Sequence, residues 1–451
     1  MKIPWLTIAL TAFVGALQAP GCHEAPSAPR PPSSAGESSG GAPVEPITEG
    51  GRANEAGRGP AGGGARCVSE LEPDFRLEFE EIALDDEPEE LTDLKVVPGA
   101  ADRLLLLDKQ GRLRLYELGE DGGALVDKLQ LADVFGEDDC GAVSLAFDPT
   151  YAENHFVYVG HCVSATASRI TRVTLQEPFE AALATAVTII ELGDARATRP
   201  WHNVGSIGFD DDSVMWALFG EKTLRDNAQD SSVGLGKLLR IVPSRDPDDG
   251  GYEPAPDNDA SATDPSIYAL GLRSPWKGAR DAEGRYWVAD VGGDTAEELN
   301  LITASGQNLG WPQAEGPCQA DCRGLVDPLL AYGREADASY ALDDAETFAT
   351  AARAIWVAGA FTGNGELGDP YDCNLRGLML FGDFFTGWVR AAAVDADGML
   401  SVDQPLGHLR FASAFAQDEQ GTLYATTLGV YKNHGMDPRG RLYRGRAAGR
   451  E

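Results

Sequence analysis

Basic side chains and histidine are scarce in this sequence. The 451 residues include 71 acidic residues, 37 basic residues and six histidines, so the formal net charge is −34. Nucleic acid and anionic membranes are therefore disfavoured as partners, because both repel an acidic surface. The cysteine spacing matches no zinc motif and histidine is rare, so zinc binding is only the alternative use of the cysteines.

The apolar run at the start of the sequence is short. It extends from Ile3 to Leu17 after Lys2, which is too short to span a bilayer and is typical of a signal peptide. Cys22 follows Ala19-Pro20-Gly21, an imperfect lipobox, and is a candidate for lipid attachment. We expect residues 1–21 to be a signal peptide, with the lipoprotein type as one form of it, and the protein to be exported to the periplasm or the cell surface.

Large apolar residues are few in residues 22–66, where Pro, Gly, Ser, Ala and Glu dominate. Such a composition cannot bury enough surface to fold, so it predicts a disordered, flexible tether. From Cys67 onward, short apolar or alternating strands recur between Gly, Asp and Pro. Residues 67–447 are therefore the predicted folded domain.

Six cysteines remain when Cys22 is set aside, and an even number in an exported protein predicts disulfides. Six cysteines allow fifteen pairings. We expect two disulfides between cysteines that are close in the sequence and a third between the two cysteines that remain. These pairs are Cys140 with Cys162, Cys318 with Cys322, and Cys67 with Cys373.

An apolar strand, Asp, two residues, Gly and a second apolar strand form a recurring unit. Asp closes such a turn with its side chain and Gly adopts positive φ, as in a β-hairpin. Clear or loose copies begin near Leu104, Ser144, Ser206, Gly278, Ala392 and Ala414. Six hairpin units and little helical periodicity outside stretches such as Glu177 to Ala186 predict an all-β, six-bladed β-propeller. Two stacked sandwiches are the alternative.

Loops between the strands are the expected place for a site. Two long inserts, Leu175 to Trp201 and Pro243 to Ser266, are expected to lie on the top face and build it. The segment from Ile267 to Pro312 contains an arginine turn, bare glycines and paired carboxylates. Backbone carbonyls with acids suit a hard cation, and an arginine suits an anion. The segment therefore predicts an anionic ligand bound together with a metal.

Several motifs resemble those of the soluble glucose/sorbosone dehydrogenases, in the family's order and over most of residues 67–447. They are CGAVSLAFDPT from Cys140, HNVGSIGF from His202, DNAQDSSVGLGKLLR from Asp226, IYALGLRSPW from Ile267, DVGGDTAEELN from Asp290 and NLGWP from Asn308. Members of this family are calcium-dependent quinoproteins that use pyrroloquinoline quinone (PQQ) on a six-bladed propeller. The resemblance implies PQQ- and Ca²⁺-dependent oxidation of an aldose or related sugar, with electrons passed to an external acceptor.

The resemblance also implies roles for particular residues. His202 matches the general base, for which imidazole suits because its pKa lies near neutrality. Arg273 matches the arginine that contacts the cofactor. Ser274 and Asp139 stand where the family has other contacting residues, and they complete the predicted cofactor-binding set.

Metal positions follow from the same resemblance. The backbone carbonyls of Gly292 and Gly293 match those that hold the cofactor-linked calcium. Glu298 and the carbonyl of Leu309 match a second, structural calcium site.

The sequence departs from the family at several positions. Trp201 stands where some members have an acid that could orient the base, and the expected cofactor-contacting Lys is missing. The arginine pair of the last blade is not recognisable in Phe411 to Gly429, and Arg410 is the nearest candidate. A non-catalytic extracellular propeller that binds a protein or glycan is therefore the main alternative function, and a calcium-dependent propeller lactonase is a third.

Overall fold

The computed structural model describes residues 71–210, 213–334, 353–361, 369–371, 373–429 and 437–449. The predicted signal peptide, the tether of residues 22–66 and Cys22 lie outside these ranges. Among the described helices, none is long and apolar enough to cross a membrane.

Six antiparallel sheets contain nearly all of the regular structure. The described chain begins with β1 (Leu77–Ile82). Blade 1 follows with β2 (Leu91–Val97), β3 (Ala100–Asp108), β4 (Arg112–Gly119) and β5 (Gly122–Gln130). Blade 2 contains β6 (Ala142–Phe147), helix α1 (Tyr151–Asn154), β7 (Phe156–Ser164), β8 (Ala167–Thr174), a 3₁₀ helix (Phe179–Thr185) and β9 (Val187–Gly193). Blade 3 contains β10 (Val204–Phe209), β11 (Met215–Phe219), a 3₁₀ helix (Arg225–Ala228), β12 (Lys237–Pro243), β13 (Tyr252–Pro254) and β14 (Ile267–Leu270).

The second half of the ring is built in the same way. Blade 4 contains β15 (Pro275–Arg280), β16 (Tyr286–Asp290), β17 (Ala296–Ile302) and β18 (Leu330–Gly333). Blade 5 contains β19 (Ile355–Ala360), β20 (Met379–Asp383), β21 (Trp388–Val394) and β22 (Leu400–His408). Blade 6 contains β23 (Ala412–Gln417), β24 (Leu423–Thr427) and β25 (Arg441–Ala447).

The two ends of the described chain close the ring. Strand β1 pairs antiparallel with β25, in register from Leu77 opposite Ala447 to Ile82 opposite Leu442, and so supplies the outer strand of blade 6. The innermost strands β2, β6, β10, β15, β19 and β23 contact one another in that order around the centre. The prediction of a six-bladed propeller is confirmed.

The apolar run Leu104 to Leu107 shows why these strands are buried on both faces. All four side chains are buried, and successive ones point to opposite faces of the sheet. Leu105 and Leu107 pack in a cluster with Val157 of blade 2, whereas Leu104 and Leu106 pack in a cluster with Leu442 of blade 6. A blade between two others thus needs apolar residues on both faces.

The Asp–Gly turns of the four clear units are present, in blades 1, 4, 5 and 6, whereas helix α1 follows the Asp of the loose unit in blade 2. At the clearest, Asp281 accepts a hydrogen bond from the Arg285 amide at 2.8 Å and Gly284 has a φ of +84°. The helical stretch predicted near Glu177 is the 3₁₀ helix Phe179–Thr185.

Two of the three predicted disulfides are confirmed, Cys140–Cys162 and Cys318–Cys322. Cys373 is disulfide-bonded too, but its predicted partner Cys67 lies outside the described residues.

The prediction that the two long inserts build the site is wrong. Leu175 to Trp201 contains the outer strand β9 of blade 2. The start of the second insert packs on the flank of that blade, where Arg172 donates to the carbonyl of Asp249 at 3.3 Å. No described residue of either insert lines the cavity that contains the predicted site residues, which is described below.

Candidate active site

A cavity of about 300 Å³ lies at one end of the central channel. It is placed where four innermost strands begin, because Thr92, Val143, Val204 and Pro275 all line it. His202, Asp139 and Ser274 line it too, so the fold brings together three of the predicted site residues. We call this space the site cavity.

A second cavity, of about 410 Å³, lies toward the other ends of the same strands. Lys95, Lys277 and Phe415 are among its lining residues, but none of the predicted site residues is. Its larger size does not make it the active site, since the candidate base faces the site cavity.

The His202 side chain is nine-tenths buried and is held by a carboxylate. Its Nδ1 lies 2.6 Å from Oε1 of Glu221, which is itself almost fully buried. A carboxylate at this distance keeps the proton on Nδ1, so the lone pair is on Nε2. The imidazole is thereby oriented as a base.

The backbone around His202 is strained. His202, Lys222 and Thr223 have φ values of 53°, 58° and 62° in the left-handed region, which non-glycine residues rarely adopt. The amide of Lys222 donates to the carbonyl of His202 at 3.2 Å. A Cβ at Gly220 would lie 2.5 Å from that carbonyl, so the close approach of the two segments requires glycine there. Strain of this kind is common where a side chain must be held in one position.

Asp139 lies in the wall of the site cavity beside a disulfide. Burial raises the pKa of the Asp139 carboxyl, while the neighbouring His202 and Lys109 act to lower it. The neighbouring Cys140 is fully buried and is linked to Cys162 on β7. The loop that carries Asp139 is therefore tied to the body of blade 2.

The arginine turn is anchored on Asp290. The amides of Arg273 and Ser274 donate to the two carboxylate oxygens of Asp290 at 2.8 and 2.6 Å. Arg273 Nη1 donates to the Val291 carbonyl at 2.8 Å, and the guanidinium lies 5.4 Å from the centre of the Trp311 ring. Val291 lines the site cavity, so Arg273 lies directly behind its wall.

Charged side chains form hydrogen bonds with the backbone of the glycine turn that follows. The Gly292 carbonyl accepts a hydrogen bond from Arg334 Nη1 at 3.0 Å, and the Gly293 amide donates to Glu315 at 2.7 Å. A Cβ at Gly292 would lie only 1.7 Å from the Ala296 carbonyl oxygen. Only glycine therefore fits at position 292 without a shift of the backbone.

Glu298 is buried on β17 opposite Asp290 of β16. Burial, and then the negative charge of Asp290, hold the pKa of the Glu298 carboxyl well above its usual range. Asn300 Nδ2 donates to Glu298 at 3.1 Å, whereas the buried Asn300 Oδ1 accepts no hydrogen bond from the described residues. Leu309 is buried, and its amide donates to the Leu270 carbonyl.

Three residues of the site were missed by the sequence analysis. Glu221 supplies the acid that Trp201 does not, and it follows β11 by two residues. Lys109 and Arg353 line the site cavity and supply positive charge from blades 1 and 5. Arg410, the candidate named from sequence, donates from Nε to the carbonyl of Phe385, another residue of the cavity wall. Of these residues, only Glu221 has a position that the sequence could have indicated, because it lies a few residues before the DNAQD motif.

Comparisons with known proteins agree with the fold. Residues 88–325, more than half of the chain, match the family described as Glucose / Sorbosone dehydrogenase. The solved structure of the PQQ-bound aldose sugar dehydrogenase from Streptomyces coelicolor is similar with a TM-score of 0.63 and 21% identity, over 84% of this chain and 100% of that one. At that identity the likeness shows the fold.

Curated relatives are similar over shorter stretches. The HIPL1 protein of Arabidopsis thaliana is 33% identical over 134 residues, which is 26% of this chain and 19% of the relative. The human Hedgehog-interacting protein is 23% identical over 203 residues, 40% of this chain and 29% of the relative. The chain thus spans a minor part of these relatives' length.

Proposed function

This chain belongs to the glucose/sorbosone dehydrogenase family, and we propose that it oxidises an aldose or a related sugar with PQQ as its cofactor. Electrons would then pass to an external acceptor. The single observation that carries the proposal is the buried His202–Glu221 pair at the wall of the site cavity, with Nδ1 and Oε1 2.6 Å apart.

His202 is the proposed general base. Because Glu221 holds the proton on Nδ1, Nε2 takes the proton from a sugar hydroxyl, and the positive imidazolium that results is stabilised by the Glu221 carboxylate. The cofactor, when bound, supplies the acceptor for the hydride that leaves the carbon bearing that hydroxyl. A positioned base contributes about 10²–10⁴-fold to such a step.

The site cavity fits a flat, polyanionic cofactor. Trp276, Phe384 and Phe385 supply flat apolar walls, and a planar ring system packs well on such faces. Lys109 and Arg353 supply positive charge in the wall, which suits the carboxylates of PQQ. These residues compensate for the cations that the sequence lacks at the family's usual positions.

The two predicted calcium sites differ in their fit. At Glu298, a carboxylate lies beside the Asn300 Oδ1 that no described residue satisfies, and two oxygens of this kind suit calcium. We therefore propose that Glu298 is a ligand of a structural calcium ion. At Gly292 the carbonyl is already bound by the Arg334 guanidinium, so the cofactor-linked calcium does not fit there. Among the described residues, no group of three or more His, Cys, Asp or Glu forms a metal site.

An activity assay with matched variants tests the proposal. The purified full chain is supplied with PQQ, with and without calcium, and assayed on a panel of aldoses with a dye as electron acceptor. His202→Asn is the informative variant, because Asn tolerates the left-handed backbone at this position. It should lower turnover by at least about 10²-fold and leave PQQ binding unchanged. His155→Asn, at another left-handed position, is the control. Dye reduction that is absent with every sugar, or that survives in His202→Asn, would contradict the proposal.

A binding function without catalysis is the second candidate. The similarity to the Hedgehog-interacting protein favours it. In that case the protein would capture a protein or glycan and reduce no dye in the assay above. A glycan array read on the same purified chain would show the ligand class.

Export is proposed from the sequence. Attachment of a lipid at Cys22 would hold the domain at a membrane surface. Cys22→Ser should then release the protein from the membrane fraction of cells that express the full chain. An unchanged membrane fraction would contradict lipid attachment at Cys22.

A further inference from the structure

Two arginines donate hydrogen bonds to successive carbonyl groups of the turn from Val291 to Ala296. Arg273 Nη1 donates to the Val291 carbonyl at 2.8 Å, and Arg334 Nη1 donates to the Gly292 carbonyl at 3.0 Å. One arginine comes from the loop before β15 and the other follows β18, so the two ends of blade 4 meet here. The carbonyl side of the turn therefore faces two fixed positive charges.

The amide side of the same turn is closed by one carboxylate. Oε1 of Glu315 accepts hydrogen bonds from the four successive amides of residues 293–296, at 2.7, 2.9, 2.9 and 3.2 Å. Burial alone would raise the pKa of the Glu315 carboxyl, but these amides hold it below its usual range. Both sides of the turn are thus bound by side chains of this chain.

Arg334 is also part of a buried ion pair. Its Nη1 contacts Oε1 of Glu297, which is fully buried, and Oε2 of Glu297 accepts from the Ile355 amide at 3.1 Å. Burial raises the pKa of the Glu297 carboxyl, and the contact with Arg334 opposes that rise. The guanidinium is therefore held in place by a carboxylate and a carbonyl together.

A calcium ion at the Gly292 carbonyl would compete with this guanidinium. Both would need the same oxygen, and two positive charges a few ångströms apart in a partly buried site repel strongly. Removing Arg334 to admit calcium would leave the buried Glu297 without its cation, which is costly. This arrangement therefore favours the Arg334 guanidinium over calcium at the Gly292 carbonyl.

We propose that Arg334 takes the place of a calcium ion at this turn, so that the positive charge beside the site cavity is built into the chain and does not depend on metal. The proposal rests on the proposed function only in naming the bound anion, PQQ. In this protein the anion would be attracted by the guanidinium groups of Arg273 and Arg334. PQQ binding should then persist when calcium is removed.

Terbium, a luminescent substitute for calcium, tests the proposal without any cofactor. Trp311 lies 3.4 Å from the position of a Cβ on Gly293, so terbium bound at the turn would be excited through Trp311. Chelator-treated Glu298→Gln protein, which lacks the ligand of the proposed structural calcium, should show no tight, Trp311-dependent emission. Arg334→Gln should gain it, with at least a ten-fold tighter terbium site, and Arg334→Lys should not. The double variant Arg334→Gln/Trp311→Phe should lose the emission again.

Controls separate this turn from the other candidate metal site. Every terbium titration is repeated with Glu298→Gln, which removes the ligand of the proposed structural calcium. A tight signal that persists in Glu298→Gln and that Trp311→Phe abolishes would overturn the proposal, and this result needs no Arg334 variant to fold. An Arg334→Gln protein that folds but gains no site would also overturn it.

Cofactor binding is measured separately, by titrating PQQ into the wild-type chain in calcium and in chelator. Equal affinity in the two conditions supports the proposal, whereas binding only in calcium contradicts it and leaves the proposed function in place. If PQQ binds in neither condition the proposed function fails, and the terbium result still decides the role of Arg334.

Discussion

Oε1 of Glu221 lies 2.6 Å from Nδ1 of His202, and both side chains are buried beside the site cavity. The amide of Glu221 donates to the Arg273 carbonyl at 3.0 Å, so the same residue joins the candidate base to the arginine turn. Blade 3 and blade 4 are thereby coupled at the point where the chemistry is proposed.

Replacing the orienting acid should impair turnover more than binding. Glu221→Gln keeps the size of the side chain but removes the charge that stabilises the imidazolium, so kcat should fall by about 10²–10⁴-fold. The pH dependence of kcat should shift as well. Steady-state kinetics with a sugar panel would show both changes. Glu253→Gln, at the exposed middle residue of β13, is the control, and equal kinetics in the two variants would refute the role of Glu221.

The cations of the site cavity should determine cofactor affinity. Lys109→Met and Arg353→Met should each weaken PQQ binding by about ten- to a hundred-fold, because a hydrogen bond to a charged group is worth about 1.5–3 kcal/mol. Calorimetric titration of PQQ measures this directly. Lys128→Met, a change on the exposed face of blade 1, should bind as the wild type does. A loss no larger than that of the control would exclude these residues as cofactor contacts.

Stability should fall as the pH rises, and Glu298 should be part of the reason. Burial and the charge of Asp290 raise the pKa of Glu298, so the folded protein keeps a proton that the unfolded chain has released. Between about pH 5 and about pH 8 each pH unit then costs about 1.4 kcal/mol for one such group. Glu298→Gln cannot titrate and should flatten the dependence of unfolding free energy on pH.

Urea unfolding at several pH values without calcium measures that slope. Some slope should remain in Glu298→Gln, because Asp290 and Glu297 also have raised pKa values. A variant as pH-dependent as the wild type would show that Glu298 is ionised when folded.

Gly292 should tolerate no side chain. In Gly292→Ala the new Cβ would lie 1.7 Å from the Ala296 carbonyl oxygen, so the turn must open and the unfolding free energy should fall by about 1–3 kcal/mol. Gly119→Ala is a matched change, because there the nearest atom lies at 3.9 Å. Thermal unfolding of the two variants compares them. Equal melting temperatures would show that the turn can open without cost.

The two described disulfides should differ in their effect on function. Cys140–Cys162 closes a separation of 22 residues and Cys318–Cys322 one of 4. The chain-entropy relation predicts losses of about 3 and about 2 kcal/mol on their removal. Only the double variant Cys140→Ser/Cys162→Ser should also lower turnover, because Asp139 lies next to Cys140 in the cavity wall. Activity lost equally in Cys318→Ser/Cys322→Ser would contradict that link.

Local features of the fold could be predicted from the sequence for a physical reason. The Asp281–Gly284 turn depends on residues within four positions of one another, and the apolar run of β3 alternates between two neighbouring blades. The motif around His202 likewise named the candidate base. The two described disulfides could be paired because each closes a short segment.

The remaining parts of the site depend on contacts between distant segments. Lys109 and Arg353 lie 244 positions apart (353 − 109) and meet the same cavity only because blades 1 and 5 both face the channel. The Glu221–His202 contact spans 19 positions and needs β10 and β11 in register. The long inserts were misplaced because length alone does not say which end of a blade a loop leaves.

The sequence by itself determined the repeating hairpins, the family and the identity of the candidate base, because turn chemistry and alternation act within one or two strands. Only the tertiary structure decided which charges meet. The pairing of β1 with β25 closes the ring, and the closed ring brings Lys109 of blade 1 and Arg353 of blade 5 to the same cavity. Such contacts depend on the geometry of the whole ring, which no local pattern encodes.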